Sequence, residues 1–199
     1  MRKIKNFRVN LHVKEVSHLV KRLANTAELL EEIEKSVRRY CCFYYEFISP
    51  SLIYETFSRE FLSLFVYKEG VPSKWIAGSI FFVTLGDNLY KEYEKNEETF
   101  GEYTGKIIIS ALAINALKQS RNFTQKLVLA EAREENCELS EDVGVYKNLY
   151  KIATKDIPIK KIGVSVESEE LSPKYSSCGL FYWIPSKKRQ KVNKIKNNV

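Results

Sequence analysis

One stretch of the chain, residues 76–85 (IAGSIFFVTL), is almost free of charge and stops abruptly at a glycine. A run of this length suits a strand that is buried on both faces, although a short buried helix segment fits the same pattern. Gly86 and Asp87 follow, and a charged helical pattern then continues through Lys95. We therefore predict an interior strand over 76–85, a glycine turn, and a helix capped by Asp87 or Asn88.

A second apolar stretch, residues 106–120 (KIIISALAINALKQS), has small and aliphatic side chains on nearly every helical face. A helix with this composition belongs in the interior of a protein, so we predict a buried helix over 107–118. Neither this run nor the first reaches the ~18 residues that a membrane-spanning helix needs. We expect no membrane association.

The rest of the chain shows shorter periodic patterns that predict further helices and strands. Strands are expected within 7–13, 51–70, 125–133, 157–166 and 176–184, and helices over 15–23, over 26–44 and from Ser140 onwards. The helix over 26–44 is expected to have a cap at Thr26 and an apolar stripe that includes Leu29 and Leu30. Helices and strands alternate irregularly, and no internal repeat is visible. The pattern predicts an α+β single domain with a central mixed or antiparallel sheet packed with helices.

Positive charge is concentrated at the two ends of the chain. The 199 residues include 32 basic and 25 acidic side chains. Four basic residues fall within 1–8 and six within 186–199, so the remaining 22 basic side chains leave the body at −3. We interpret 1–8 as a basic extension, 9–185 as the folded domain, and 186–199 as a basic, disordered tail. A nucleic-acid groove would place its positive field on the folded surface, so no nucleic-acid partner is expected.

The cysteine pattern argues against a metal site. Four cysteines (Cys41, Cys42, Cys137 and Cys178) include an adjacent pair but no C-x-x-C, and His12 and His18 are not near them in sequence. We expect Cys41 and Cys42 to be reduced and free of metal. Free thiols fit a reducing compartment, and the N-terminal residues do not resemble a signal peptide, so the expected location is the cytoplasm.

No recognisable motif supplies a complete active site. The chain contains no dinucleotide fingerprint, phosphate-binding loop, zinc-protease motif or nucleophile elbow. Two small-residue turns remain, one at 84–87 after an apolar run and one at 173–179 that enters the last predicted strand. Each could present backbone N–H groups to a ligand, or could simply be a turn that needs glycine.

The order of segments in this chain resembles the activation domain of cobalamin-dependent methionine synthase, and most of all its free-standing relatives. The resemblance covers about residues 9–185 and rests on the series AGSIFFVTLGDNL, GKIIISALAINAL and IGVSVESEELSPKYSSCGLFYW. Residues 162–167 stand for the family's I-G-V-x-L-T-E-S segment. Pro173, Ser176 and Gly179 match its P-x-x-S-V-S-G segment, in which Ser177 and Cys178 replace Val and Ser.

The resemblance implies a site for S-adenosylmethionine, with cobalamin carried by a partner protein. It places Arg133, Glu167, Ser176 and Gly179 at that site, with Arg133 meeting the ligand's carboxylate. The family's arginine is followed by a Gly-Tyr loop, whereas residues 134–137 here are Glu-Glu-Asn-Cys. No catalytic residue and no metal ligand is implied.

Three functional hypotheses follow. The first is a free-standing activation-domain-like protein that docks on a cobalamin-dependent methionine synthase or related corrinoid protein and supports its reactivation, as an accessory subunit at most. The second is a non-catalytic scaffold that kept the fold and lost S-adenosylmethionine binding. The third, a nucleic-acid binder acting through its basic tails, is the weakest because the body of the chain is net acidic.

Overall fold

A computed structural model describes residues 1–26, 31–65, 71–100, 102–143, 150, 152 and 155–186. The helices are α1 (Val13–Leu23), α2 (Glu31–Tyr44), α3 (Arg59–Leu62), α4 (Asn88–Phe100) and α5 (Glu102–Glu134). The strands are β1 (Arg2–Lys5), β2 (Ser51–Ser58), β3 (Ala77–Thr84), β4 (Cys137–Leu139), β5 (Ser165–Glu167), β6 (Glu170–Ser172) and β7 (Ser176–Pro185). Short 3₁₀ turns occupy Tyr45–Phe47 and Ile159–Ile162.

Five strands form one antiparallel sheet in the order β1-β2-β3-β7-β4, and β5 and β6 form a separate hairpin. The central pair is β3 and β7, which run side by side from Ala77 opposite Trp183 to Thr84 opposite Ser176. With helices packed on this sheet, the molecule is α+β. The predicted fold class is confirmed, and the sheet is antiparallel.

The apolar run that ends at Gly86 is the middle strand of the sheet, as predicted. Its even-numbered side chains, such as Ile80 and Phe82, pack in one core, and its odd-numbered ones, such as Phe81 and Val83, pack in another. Because both faces of β3 are covered, the strand needs no polar alternation. Gly86 follows with φ of +80°, a conformation that L side chains rarely adopt and that glycine adopts freely.

The buried helix expected over 107–118 is also confirmed, as part of the much longer α5. Ile108, Ile109 and Leu112 are fully buried, whereas Ile114 is 42% exposed. The helix is therefore interior on all but one side. The strand predicted at 125–133 is wrong, because α5 continues through Glu134.

The α5 helix continues beyond residue 125 because one of its faces packs on the sheet, which the local sequence does not show. Thr124, Val128 and Ala132 are spaced four residues apart and are all buried. Val128 and Ala132 pack with the side chains of the sheet in one core. The burial of every fourth side chain against the sheet therefore favours a helix more strongly than the aliphatic residues of this segment favour a strand.

The N-terminal strand lies earlier than predicted. The alternating residues 7–12 form no regular element, and β1 at Arg2–Lys5 pairs with β2 instead. Val9 is buried, and the ring of Phe7 lies 4.9 Å from that of Phe123 on α5. The alternation thus reflects an extended segment that packs on a helix. The helix predicted over 15–23 is present as α1.

Three further predictions are adjusted. No helix begins at Ser140, which follows β4 and hydrogen-bonds to β7. The segment 157–166 contains a 3₁₀ turn at Ile159–Ile162 before the short strand β5. The helix predicted over 26–44 is described from Glu31, so Leu29 and Leu30 lie outside the described residues. The same is true of residues 144–149 and of the tail after Ser186.

Candidate functional site

A cleft of about 570 Å³ opens between the middle of α5, the segment after β4, and the first half of β7. This volume is within the range of small-molecule sites, about 300–1,000 Å³. The lining residues are Ile114, Leu117, Lys118, Arg121, Asn122, Gln125, Glu141, Asp142, Ser177 and Phe181. One wall is therefore apolar, and the other carries charges of both signs.

Arg121 is the best-anchored polar group in the cleft. Its Nε donates to Asp142 Oδ2 at 2.8 Å, a second guanidinium nitrogen donates to the same oxygen, and the third donates to Ser177 Oγ at 2.9 Å. The guanidinium carbon also lies 5.7 Å from the centre of the Phe81 ring. Of the five N–H donors of an arginine, these bonds use three. The guanidinium group is held in one orientation, and two of its N–H groups make no hydrogen bond with the described residues.

Asp142 has an unusual environment for a carboxylate. Its Oδ1 is buried and has no hydrogen-bond partner among the described residues. Burial raises the pKa of Asp142, while the hydrogen bonds and positive charge of Arg121 act in the opposite direction. The ionised form of Asp142 therefore depends on Arg121.

Gly179 makes this arrangement sterically possible. A Cβ atom at this position would lie 2.6 Å from Phe81 Cζ and closer still to Asp142 Oδ1. Both distances are well below an ordinary contact, so only glycine lets Asp142 lie directly against β7. Ser140 and Val143, on either side of Asp142, fix the segment by hydrogen bonds to Tyr182 and Leu180.

Two of the four residues that the resemblance placed at the site lie at the start of β7. Gly179 underlies the cleft, as described above. Ser176 faces away from it, since neighbouring residues of a strand point to opposite faces and Ser177 is the one that lines the cleft. Ser176 Oγ instead donates to Thr84 Oγ1 at 2.9 Å, and that oxygen accepts from Gly86 N at 3.1 Å. The two small-residue turns therefore meet each other.

The other two residues lie elsewhere. Arg133 is exposed in the last turn of α5, about 18 Å along the helix from Arg121 at 1.5 Å per residue. Near it, Cys137 pairs with Pro185 at the far end of β7. Ser176 is about 30 Å away along that strand. Glu167 is exposed in the β5–β6 hairpin and accepts a hydrogen bond from Ser165 Oγ at 2.8 Å. The structure does not bring Arg133 together with Ser176.

Sequence reasoning did not identify Arg121 and Asp142 as a pair. They are 21 positions apart, and the last part of α5 and the whole of β4 separate them along the chain. Arg121 occurs in a polar segment (KQSRNFTQK) directly after the apolar part of α5. This change of composition is the only local signal that the helix emerges there towards solvent.

The cysteines are free thiols, and three of the four are buried. Burial raises the pKa of Cys41 to about 11 and that of Cys178 to about 12. Within the described residues, no group of three or more His, Cys, Asp or Glu side chains is placed to hold a metal ion. In the same part of the chain, no helix is both long enough and apolar enough to cross a membrane.

Thiol labelling would check this arrangement. Only Cys42 is exposed, so we expect a disulfide reagent such as Ellman's to modify one thiol rapidly in the native protein and four after denaturation. Cys42→Ser is expected to remove the rapid phase. A rapid phase that persists in Cys42→Ser would show that one of the buried thiols is accessible.

Comparison with known proteins identifies the fold class. No protein-family profile and no curated protein sequence matches the chain. Its fold, however, is that of the activation domain of methionine synthase. The chain is similar over 94% of its length to a solved structure, the crystal structure of the MetH reactivation domain bound to AdoHcy, with 80% of that chain covered. The TM-score is 0.58 and the sequence identity is 11%. The likeness therefore lies in the fold, as the sequence resemblance implied.

Proposed function

We propose that this protein is a cytoplasmic accessory protein that binds S-adenosylmethionine and supports the reactivation of a cobalamin-dependent methionine synthase or a related corrinoid protein. Cobalamin would be carried by the partner, and S-adenosylmethionine would be held in the Arg121 cleft. The protein would act by binding and orienting the ligand, with no catalytic residue of its own.

The chemistry of the cleft suits this ligand. S-adenosylmethionine and AdoHcy both have a charged amino-acid end and a flat adenine ring. Arg121 and Lys118 offer donors for a carboxylate, and Glu141 offers an acceptor for an ammonium group. Ile114, Leu117 and Phe181 form an apolar wall on which a ring can pack. One cleft thus contains partners for the amino-acid end and for the ring of the ligand.

The observation that carries the proposal is the preset orientation of Arg121. Asp142 and Ser177 hold the guanidinium before any ligand arrives, so binding does not have to order a flexible side chain. A fold of the same kind is known with AdoHcy bound. Together these two facts favour a ligand-binding role over a purely structural one.

Titration calorimetry with S-adenosylmethionine and AdoHcy tests the proposal. We expect micromolar binding to the wild-type protein and a loss of about 10- to 100-fold in Arg121→Ala, the range for a charged hydrogen bond of about 1.5–3 kcal/mol. Arg133→Ala is the matched control, since it removes the same side chain from the same helix at a distance from the cleft. Its affinity should equal that of the wild type. Circular dichroism would establish that both variants are folded at the temperature of the titration.

Two outcomes would contradict this proposal in different ways. If Arg133→Ala abolishes binding and Arg121→Ala does not, the ligand binds at the end of α5 and the cleft is not its site. If the wild-type protein gives no heat at millimolar ligand, the ligand-binding role is wrong.

A non-catalytic scaffold is the second candidate. It is favoured by the internal bonds of Arg121, which already use three of its donors, and by residues 134–137, which replace the family's Gly-Tyr loop. A scaffold would associate with a corrinoid protein equally well with and without S-adenosylmethionine. An accessory reactivation protein would associate more tightly when the ligand is present, and analytical ultracentrifugation distinguishes the two.

A further inference from the structure

A second concave surface lies between α1 and α2, on helices that do not contribute to the Arg121 cleft. It has a volume of about 360 Å³ and is lined by Val13, Lys14, Ser17, His18, Lys21, Glu34 and Arg38. We call it the basic groove. Val16 and Val20 on α1 and Val37 on α2 are buried beside it and hold the two helices against the core. The groove is therefore supported by packed elements.

The spacing of these residues aligns their side chains. Lys14, His18 and Lys21 are at positions i, i+4 and i+7 of α1, so they share one helical face. At 1.5 Å per residue, Lys14 and Lys21 are about 10 Å apart along the axis. Glu34 and Arg38 are likewise at i and i+4 of α2 and line the opposite side. The result is a row of donors that is longer than a single phosphate group.

The positive charge in the groove is largely uncompensated. Some other cations of the described chain form ion pairs, as in Lys35–Glu31 at 2.7 Å and Lys95–Glu92 at 3.3 Å. By contrast, Lys14, Lys21 and Arg38 are not in an ion pair with any other described residue, and only one carboxylate lines the groove. Mutual repulsion of these cations opposes their convergence, and a bound anion would relieve it.

We propose that the basic groove binds a small ligand that carries two or more linked phosphate groups. The guanidinium of Arg38 matches the geometry of phosphate oxygens, the lysines supply point charges, and Ser17 supplies a hydroxyl donor. The concave shape fits a compact ligand, whereas an acidic protein surface needs no such hollow. The length of the row requires more than one phosphate. This site is separate from the Arg121 cleft and does not depend on its role.

Calorimetry with inorganic pyrophosphate at low ionic strength tests the inference, with orthophosphate as the shorter probe. We expect pyrophosphate to bind at least tenfold more tightly than orthophosphate. The double variant Lys21→Gln/Arg38→Gln should weaken pyrophosphate binding tenfold or more. The control is Lys160→Gln/Lys161→Gln, which removes two exposed cations from the 3₁₀ turn at Ile159–Ile162 and should change the affinity by less than twofold.

Three results would overturn the inference. One is the absence of heat with millimolar pyrophosphate while the protein is folded. Another is an equal loss of affinity in both double variants, since this would mean that only the net charge matters. The third is an oligoglutamate peptide that binds more tightly than pyrophosphate and loses its affinity in Lys21→Gln/Arg38→Gln, since the groove would then be a docking site for an acidic protein.

Discussion

Replacing Gly179 by alanine is expected to lower the free energy of unfolding by about 3 kcal/mol, at the upper end of the usual overpacking cost. The new methyl group would overlap the Phe81 ring on one side and Asp142 on the other. Phe81 is fully buried, and Arg121 holds Asp142 in place, so neither neighbour can move away cheaply. For a chain of this length the melting temperature should fall by roughly 6–12 °C.

Gly78→Ala is the matched control for this prediction. Gly78 occupies the neighbouring strand β3, and an added Cβ would lie 2.5 Å from Leu62 Cδ1 and 3.0 Å from Leu180 Cδ1. Both atoms are the ends of flexible side chains that can rotate, so we expect a smaller loss, about 1 kcal/mol. Thermal denaturation of the two variants measures the difference. Equal losses would mean that Asp142 and Phe81 are not rigidly held, which contradicts the described cleft.

The second large effect is expected from Arg121→Met, which leaves the Asp142 carboxylate without its cation. Complete burial of an unpaired charge costs about 3–5 kcal/mol. Because the side chains of Arg121 and Asp142 are 32% and 22% exposed, solvent screening reduces our expectation to about 1–3 kcal/mol at neutral pH. The loss should appear as a lower midpoint of urea denaturation.

The pH dependence of this loss gives a sharper test than its size. Burial raises the pKa of Asp142 in the folded state above its ordinary value of 3.8, and removal of Arg121 raises it further. Over the interval between the two values, the folded protein binds more protons than the unfolded chain does. Below the pKa of Asp142 in the unfolded chain, the buried carboxyl group therefore costs no stability. The free energy of unfolding declines as the pH rises through the pKa of Asp142 in the folded protein. The deficit of Arg121→Met relative to wild type should shrink as the pH is lowered from 7 towards 4.

Adding Asp142→Asn to Arg121→Met separates the carboxylate from other effects of the arginine. The amide has nearly the same shape and no ionisable proton, so the double variant should lose the additional pH dependence and recover part of the stability. If Arg121→Met shows the same deficit at every pH, the arginine acts through packing on Phe81 and the account of Asp142 is wrong.

The central strands and the apolar part of α5 could be predicted from sequence because their burial is local and continuous. Residues 77–84 are uncharged and mostly apolar, and a strand covered on both faces has that pattern. Predictions were wrong where tertiary packing overrides the local pattern. Residues 7–12 alternate because they lie against α5, and 125–133 continue that helix because Val128 and Ala132 pack on the sheet.

The candidate site was less predictable than the fold. Gly179 was identified through the resemblance, and the structure gives it a steric role beneath the cleft. Arg121, Asp142 and Ser177 come from three separate segments and share no motif spacing. Only the folded arrangement of α5 beside β7 reveals that their side chains meet. The resemblance implied a ligand contact for Arg133, which lies at the end of α5, about 18 Å along the helix from Arg121.

The most direct test of the central claim is the NMR signal of the Arg121 Nε–H group during titration with AdoHcy, assigned by comparison with Arg121→Lys. The hydrogen bond from Nε to Asp142 should make this signal slowly exchanging in the free protein. If the cleft is the ligand site, the signal should shift progressively with AdoHcy and reach saturation together with the calorimetric heat. Saturation of the heat without any shift of this signal would place the ligand elsewhere and contradict the account.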